Sequence, residues 1–162
     1  MTLNARSEAA RRRLLRSWNF RLYLWARLPL AACAGLSLRR LDDTGCTVAL
    51  PGGWRTQNPF RSMYFAAQAM AAEMSTGAPA MMLAEGASAS VSMLVREVRG
   101  VFTRRIQGEA EFTFEDLAGM RETVDRAVAT GESESFVARS VGRNRDGGAA
   151  SEFEITWSFK RR

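Results

Sequence analysis

The chain has 162 residues, 46% of them apolar, and a net charge of +6. That predicts one globular domain with its own core rather than a disordered chain. There is no histidine, which excludes Ser-His-Asp and Cys-His hydrolysis, histidine-based zinc catalysis and haem ligation through histidine. Acid–base work must fall to Asp, Glu, Tyr, Lys or Cys. The basic excess is arginine, with Lys160 the only lysine, and it is concentrated at the front, where residues 1–40 hold nine arginines against Glu8 alone. No zinc-finger spacing, RNP-like aromatic motif or helix-turn-helix accompanies it, so nucleic acid is not an expected partner. Cys33 and Cys46 form no CxxC pair and are expected to be free buried thiols in a reducing, cytoplasmic setting.

Residues 7–18 open with Ser7 in a capping position and read as a helix with one basic face. Residues 20–28 continue in helical style until Pro29 interrupts or restarts the helix. The chain accordingly divides into a basic helical arm, 1–19, and a domain, 20–162. Trp18, Phe20, Tyr23 and Trp25 are expected to pack on the domain and leave the arginines in water. Peripheral contact with an anionic membrane surface is the other reading of this arm. The apolar stretch 22–38 contains Arg27 and Pro29 and is too short to span a bilayer. Leu30-Ala31-Ala32-Cys33 imitates a lipoprotein cleavage box but follows too short an apolar run.

From Gly35 the pattern changes to strands, with 36–41 and 46–50 forming a hairpin about Asp42-Asp43-Thr44-Gly45. The chain is organised around 58–77. Pro59 and Ser62 suit a helix start, and Gly77 followed by Pro79 suits its stop. Between Met63 and Met74 nearly every residue is apolar and most are small; a helix apolar on every side is buried. Residues 80–83 read as a short apolar segment and 88–98 as an alternating strand, with Gly100 at a bulge or bend. Strands are expected at 101–106 and 109–114, an amphipathic helix at 115–130 ended by Gly131, and a closing hairpin from 136–141 and 151–159. The sum is an α+β domain: a curved antiparallel sheet wrapped around one central helix, with an N-terminal helical arm and an inserted helix before the last hairpin.

Glu73 is the only carboxylate between Met63 and Met74. An apolar setting would raise its pKa and suit it to act as a general base or nucleophile. The alternative is a solvated glutamate in a frayed last turn.

Asn58-x5-Tyr64-Phe65-Ala66-x6-Glu73 resembles the central-helix motif N-x5-H-G-G-x6-D/E of hotdog-fold thioesterases of the phenylacetyl-CoA thioesterase type. The wider chain is more similar to an uncharacterised bacterial hotdog family, a domain of unknown function related to these thioesterases. The leading helix, the Leu-Pro element near Leu28, the Ser62-Met63-Tyr64-Phe65 helix start and Thr156-Trp157-Ser158-Phe159 carry that similarity. The resemblance implies a hotdog fold and a homodimer with sites between protomers; pairing of such dimers into a tetramer stays open. It implies an acyl-CoA or acyl-thioester substrate, with coenzyme A as part of the substrate and no metal or separate cofactor. Backbone N–H groups of Phe65 or Ala66 would polarise the thioester carbonyl. Asn58 would hold the attacking water or the loop leading into the helix, and Glu73 would activate that water or attack directly. The departures are Tyr64 in place of histidine and Phe65 and Ala66 in place of glycines.

Phe65 and Glu73, eight residues apart, are separated by about 12 Å along a helix. Glu73 is therefore expected to act on the helix start of another subunit. Tyr64 could donate a hydrogen bond, with Gln68 as its polar neighbour one turn on. Arg99, Arg104 and Arg105 are candidates for the phosphates of coenzyme A. Two other readings stand beside hydrolysis: a non-catalytic hotdog module that binds an acyl chain or acyl-CoA, and a basic scaffold or membrane-surface protein that uses the arm.

Overall fold

The computed structural model describes residues 3–162. Three helices lead, α1 (Ala5–Leu15), α2 (Ser17–Arg27) and α3 (Pro29–Ala34). They are followed by β1 (Ser37–Leu41), β2 (Cys46–Leu50), α4 (Phe65–Gly86), β3 (Val91–Phe102), β4 (Ala110–Phe114), α5 (Leu117–Thr130), β5 (Glu134–Asn144) and β6 (Ala149–Arg161). The strands form one six-stranded antiparallel sheet in the order β1-β2-β4-β5-β6-β3. β6 shows why it curls around a core. Phe153, Ile155, Trp157 and Phe159 point inward and are buried, while Glu152, Glu154, Thr156 and Ser158 alternate outward.

The inward face packs on α4. Its alanines let the sheet come close; Ala71, Ala72 and Ala80 are completely buried. Two buried polar links tie helix to sheet. The hydroxyls of Ser75 and Ser140 lie 2.8 Å apart, and the Trp157 indole N–H donates to Thr76 Oγ1 at 2.9 Å. Such pairings keep buried polar groups from being a net cost.

The structure lengthens the central helix at its far end. α4 starts at Phe65, after a short loop closed by the Gln57–Met63 bridge, rather than at Pro59 or Ser62. It runs through Gly77 and Pro79 to Gly86, so residues 80–83 belong to it. Gly77 is there for packing, not termination: a Cβ on it would stand 3.3 Å from the Trp157 ring. Pro79 forgoes one helix hydrogen bond, but burial of Ala78, Pro79, Ala80, Met82 and Leu83 holds the helix together across it.

At the front, Asn4 rather than Ser7 caps α1, its Oδ1 accepting from the Ser7 N–H at 2.9 Å. Asn4 Nδ2 also donates to the Gly86 carbonyl at 2.8 Å, so one side chain closes the end of α4 as well as the start of α1. Arg13 pairs with Glu85 at 2.6 Å, and Ala10 and Leu14 join the core. Phe20 and Leu24 of α2 are buried, but Trp18 and Trp25 are not; they stand in solvent, contrary to the expected packing. Of the cysteines only Cys46 is buried, where desolvation pushes its thiol pKa far up; Cys33 is exposed.

β3 ends at Phe102, and 103–109 is a loop, not a strand. The bulge falls between Val95 and Glu97 rather than at Gly100, which pairs regularly with Phe153 and leaves room for its ring. Gly86 has a comparable role: a Cβ there would collide with the buried Ser7 side chain of α1. Gly86→Ala should therefore push α1 off α4 and destabilise the fold by about 1–3 kcal/mol, outweighing the gain of about 1 kcal/mol in helix propensity. A lowered urea midpoint at unchanged m-value checks this; an unchanged midpoint would refute the packing argument.

Candidate functional site

The first turn of α4 opens into a cleft of about 550 Å³, bordered by Asn58, Tyr64, Phe65, Gln68, Phe102, Arg104 and Arg105. Tyr64 is the N-cap residue, but its side chain caps nothing. The first-turn N–H groups of Phe65, Ala66 and Ala67, which have no carbonyl of their own helix to bond, add to the positive potential of a 22-residue helix at this point. The Tyr64 N–H itself is used, donating to the Thr56 carbonyl at 2.7 Å.

Gln68 lies against this turn and is buried. Its Nε2 donates to the Met63 carbonyl at 3.2 Å, whereas its Oε1 is buried without a partner. An unmet buried acceptor is costly, and this one borders the cleft.

Asn58 takes the loop-holding role. Its Oδ1 accepts from the Phe60 N–H at 3.0 Å, the Ser62 N–H at 3.1 Å and Ser62 Oγ at 3.2 Å. Of the three arginines, two are at the cleft. Arg105 donates to the Phe60 carbonyl at 2.6 Å and Arg104 pairs with Asp146 at 3.3 Å. Arg99 pairs with Glu154 at 3.4 Å on the outer face of the sheet and does not border the cleft. The Phe65 ring stands at the mouth, edge-on to Tyr64 at 4.8 Å and to Phe102 at 6.5 Å between centroids.

Glu73 lies elsewhere, in a separate cavity of about 270 Å³. Met93 and Trp157 border it on the sheet side, and Leu14, Phe20, Tyr23 and Leu28 on the side of the leading helices. Because α4 continues for thirteen residues past it, Glu73 is a mid-helix residue rather than part of a frayed end. Its carboxylate has no hydrogen-bond or ion-pair partner among the described residues, and burial alone raises its pKa above the ordinary glutamate value. The aromatic content of 18–25 signals packing, but only the fold decides that Phe20 and Tyr23 border the Glu73 cavity while Trp18 and Trp25 turn away.

The raised pKa has a measurable consequence. The folded state holds the Glu73 proton more tightly than the unfolded chain, so stability falls as pH rises from the unfolded glutamate pKa through the folded one. Glu73→Gln removes that loss. We expect the variant to be more stable than the parent at pH 7 and about equal to it at pH 3.5; equal melting temperatures at both pH values would contradict the partly buried, unpaired state of the acid.

Glu73 and the cleft lie at opposite ends of β3: Glu73 beside Met93 near its start, and Phe65 on Phe102 at its end. One protomer does not bring them together. β3 is also an outer strand of the sheet, with one side unpaired along twelve residues. Its register places Val98 opposite Ile155 and Gly100 opposite Phe153, on the core-facing side of the sheet. Yet Val98 and Phe102 remain about half exposed.

A curved antiparallel sheet around a long central helix defines the hotdog fold. Residues 16–159 match the family described as Domain of unknown function (DUF4442), and the chain belongs to that family. Among solved structures it is similar to a protein of unknown function from Chlorobaculum tepidum, with a TM-score of 0.76 at 11% identity over 96% of this chain and 94% of that one. It is also similar to a Pseudomonas aeruginosa protein described as a probable thioesterase, with a TM-score of 0.71 at 18% identity over 96% of each chain. A third similar structure is a Staphylococcus aureus thioesterase (TM-score 0.62, 15% identity, 82% of this chain and 98% of that one), solved as variants at a glutamine and at a glutamate fifteen residues apart. Among curated proteins none matches. No helix of the described residues is long and apolar enough to cross a membrane.

Proposed function

We propose that the protein is a homodimeric acyl-thioester hydrolase whose two sites lie between protomers. The observation that carries this reading is the placement of the two half-sites at opposite ends of the free edge strand. If β3 pairs antiparallel with its own copy, the start of each strand lies beside the end of the other. Glu73 of each protomer then falls beside the α4 start of its partner. The same pairing would cover Val98 and Phe102 and remove an exposed edge, which folded proteins avoid leaving bare.

In this arrangement Glu73 accepts a proton from water, and the oxygen of that water attacks the thioester carbonyl carbon. The negative charge that develops on the carbonyl oxygen is met by the N–H groups of Phe65 or Ala66 at the uncapped helix start. The C–S bond then breaks, Glu73 returns its proton to the leaving sulfur so that the thiol departs neutral, and a carboxylic acid remains. Gln68 and Tyr64, which border the cleft, would orient the substrate. Arg104 and Arg105, both beside the cleft, suit the phosphates of coenzyme A. Asn58 holds the loop that shapes the cleft.

The Phe65 ring at the cleft mouth favours a second reading, an acyl or acyl-CoA binder without turnover. Hydrolysis of an acyl-CoA series, with Glu73→Gln as control, separates the two. Turnover that depends on Glu73 supports the hydrolase. Saturable binding with no turnover by the parent would replace it with the binding module.

A further inference from the structure

The surface formed by α2, α3 and the loop after β2 carries none of the residues assigned to that chemistry, and several large apolar side chains stand exposed on it. Trp18, Leu22 and Trp25 recur at helical spacing on one face of α2, opposite the buried Phe20 and Leu24. Trp18 is 70% exposed, Trp25 58%, Leu30 74% and Trp54 83%. Three of the four tryptophans in the chain thus stand in water on neighbouring segments, and Trp25, Leu30 and Trp54 border a single open cleft of about 590 Å³. The core does not explain them.

Arginines lie on the same segments, and Arg21 and Arg55 border a cavity with Trp25. Arg16, Arg21, Arg27 and Arg55 are exposed and have no carboxylate partner among the described residues, unlike Arg11, Arg12 and Arg13, which pair with Glu8 or Glu85. α2 itself contains no acidic residue. A second copy seated here would bring like charges together, at a cost. An anionic partner would relieve them. Indole rings prefer the level of lipid headgroups, and an apolar helix face bordered by arginine is the pattern of a helix lying in that layer.

We propose that this face docks on an anionic lipid bilayer, with Trp18, Trp25 and Trp54 inserted at headgroup level and Arg16, Arg21, Arg27 and Arg55 against the lipid phosphates. Glu73 takes no part, and although Tyr64 and Ala66 at the start of α4 border the same cleft, docking is read by vesicle binding and not by turnover, so it is tested separately from hydrolysis.

The test is co-sedimentation of the full chain with vesicles of phosphatidylcholine alone and with an equal share of phosphatidylglycerol. Binding to the anionic vesicles, a blue shift of tryptophan emission and loss of binding in 0.5 M salt are expected. Arg16→Gln with Arg21→Gln should weaken binding roughly thirtyfold. Trp18→Ser with Trp54→Ser should weaken it at an unchanged urea midpoint, since both residues are exposed. Absence of binding, or equal binding to both vesicle types, would overturn the proposal. So would a fall in oligomer mass in the tryptophan variant with vesicle binding intact, which would assign the face to contacts between copies.

Discussion

Glu73→Gln should lower acyl-CoA hydrolysis by about 10²–10⁴-fold with little change in KM. The amide keeps the shape of the side chain but cannot take the proton of the attacking water. Because burial raises the Glu73 pKa, kcat of the parent should climb with pH to a midpoint above the ordinary carboxylate range, and that limb should vanish in the variant. The interprotomer arrangement makes a sharper test possible. Phe65 is the first residue of α4, and Tyr64 before it is extended, at φ −67° and ψ 135°. Both conformations tolerate proline at position 65, and proline has no N–H to offer the oxyanion. Each single variant should be strongly impaired alone, Phe65→Pro by about 10²–10³-fold through loss of the Phe65 N–H as oxyanion donor. Mixed and allowed to exchange subunits, Glu73→Gln and Phe65→Pro protomers should recover about a quarter of parental activity, since half the dimers are mixed and one of their two sites is intact. No recovery, with subunit exchange verified, would refute a site shared between protomers. Undiminished turnover in Glu73→Gln would remove the acid from the mechanism altogether.

Val98→Asp should convert the dimer to a monomer and abolish hydrolysis while leaving each protomer folded. Val98 faces the core side of the sheet but is about half exposed, so an aspartate there is solvated in a lone protomer. In the dimer the same carboxylate would be buried without a partner, which complexes tolerate poorly. The variant retains Glu73, Phe65, Gln68 and both arginines of the cleft. Its loss of activity would therefore report assembly, not chemistry. Light scattering that finds the parent monomeric would refute the dimer directly, and an active monomeric variant would show that a single protomer suffices.

Much of the fold was legible in local pattern. Alternation in 151–159 predicted β6, the Asp42–Gly45 turn predicted the first hairpin, and the small apolar residues of 63–74 predicted a helix with sheet around it. The misreadings came where one residue type serves two ends. Gly77 and Pro79 terminate a helix when solvent is the alternative; here Trp157 occupies the space that Gly77 leaves, and burial holds the helix through Pro79. The reading of Glu73 as a solvated glutamate in a frayed last turn lapsed with that extension, since the residue is nowhere near the end of its helix.

What the sequence determines by itself is the chemistry on offer: no histidine, one acid in an apolar helix, an excess of arginine ahead of the first strand. Periodicity determines which segments are strands and helices, because side-chain direction repeats every two or 3.6 residues whatever lies opposite. The tertiary structure alone decided how those groups are distributed. It left Glu73 unpaired under α1 and α2, put Gln68 and the arginines at the other end of β3, and turned three tryptophans outward. The reason is that burial and separation depend on which distant segments pack together, and local spacing carries no record of that.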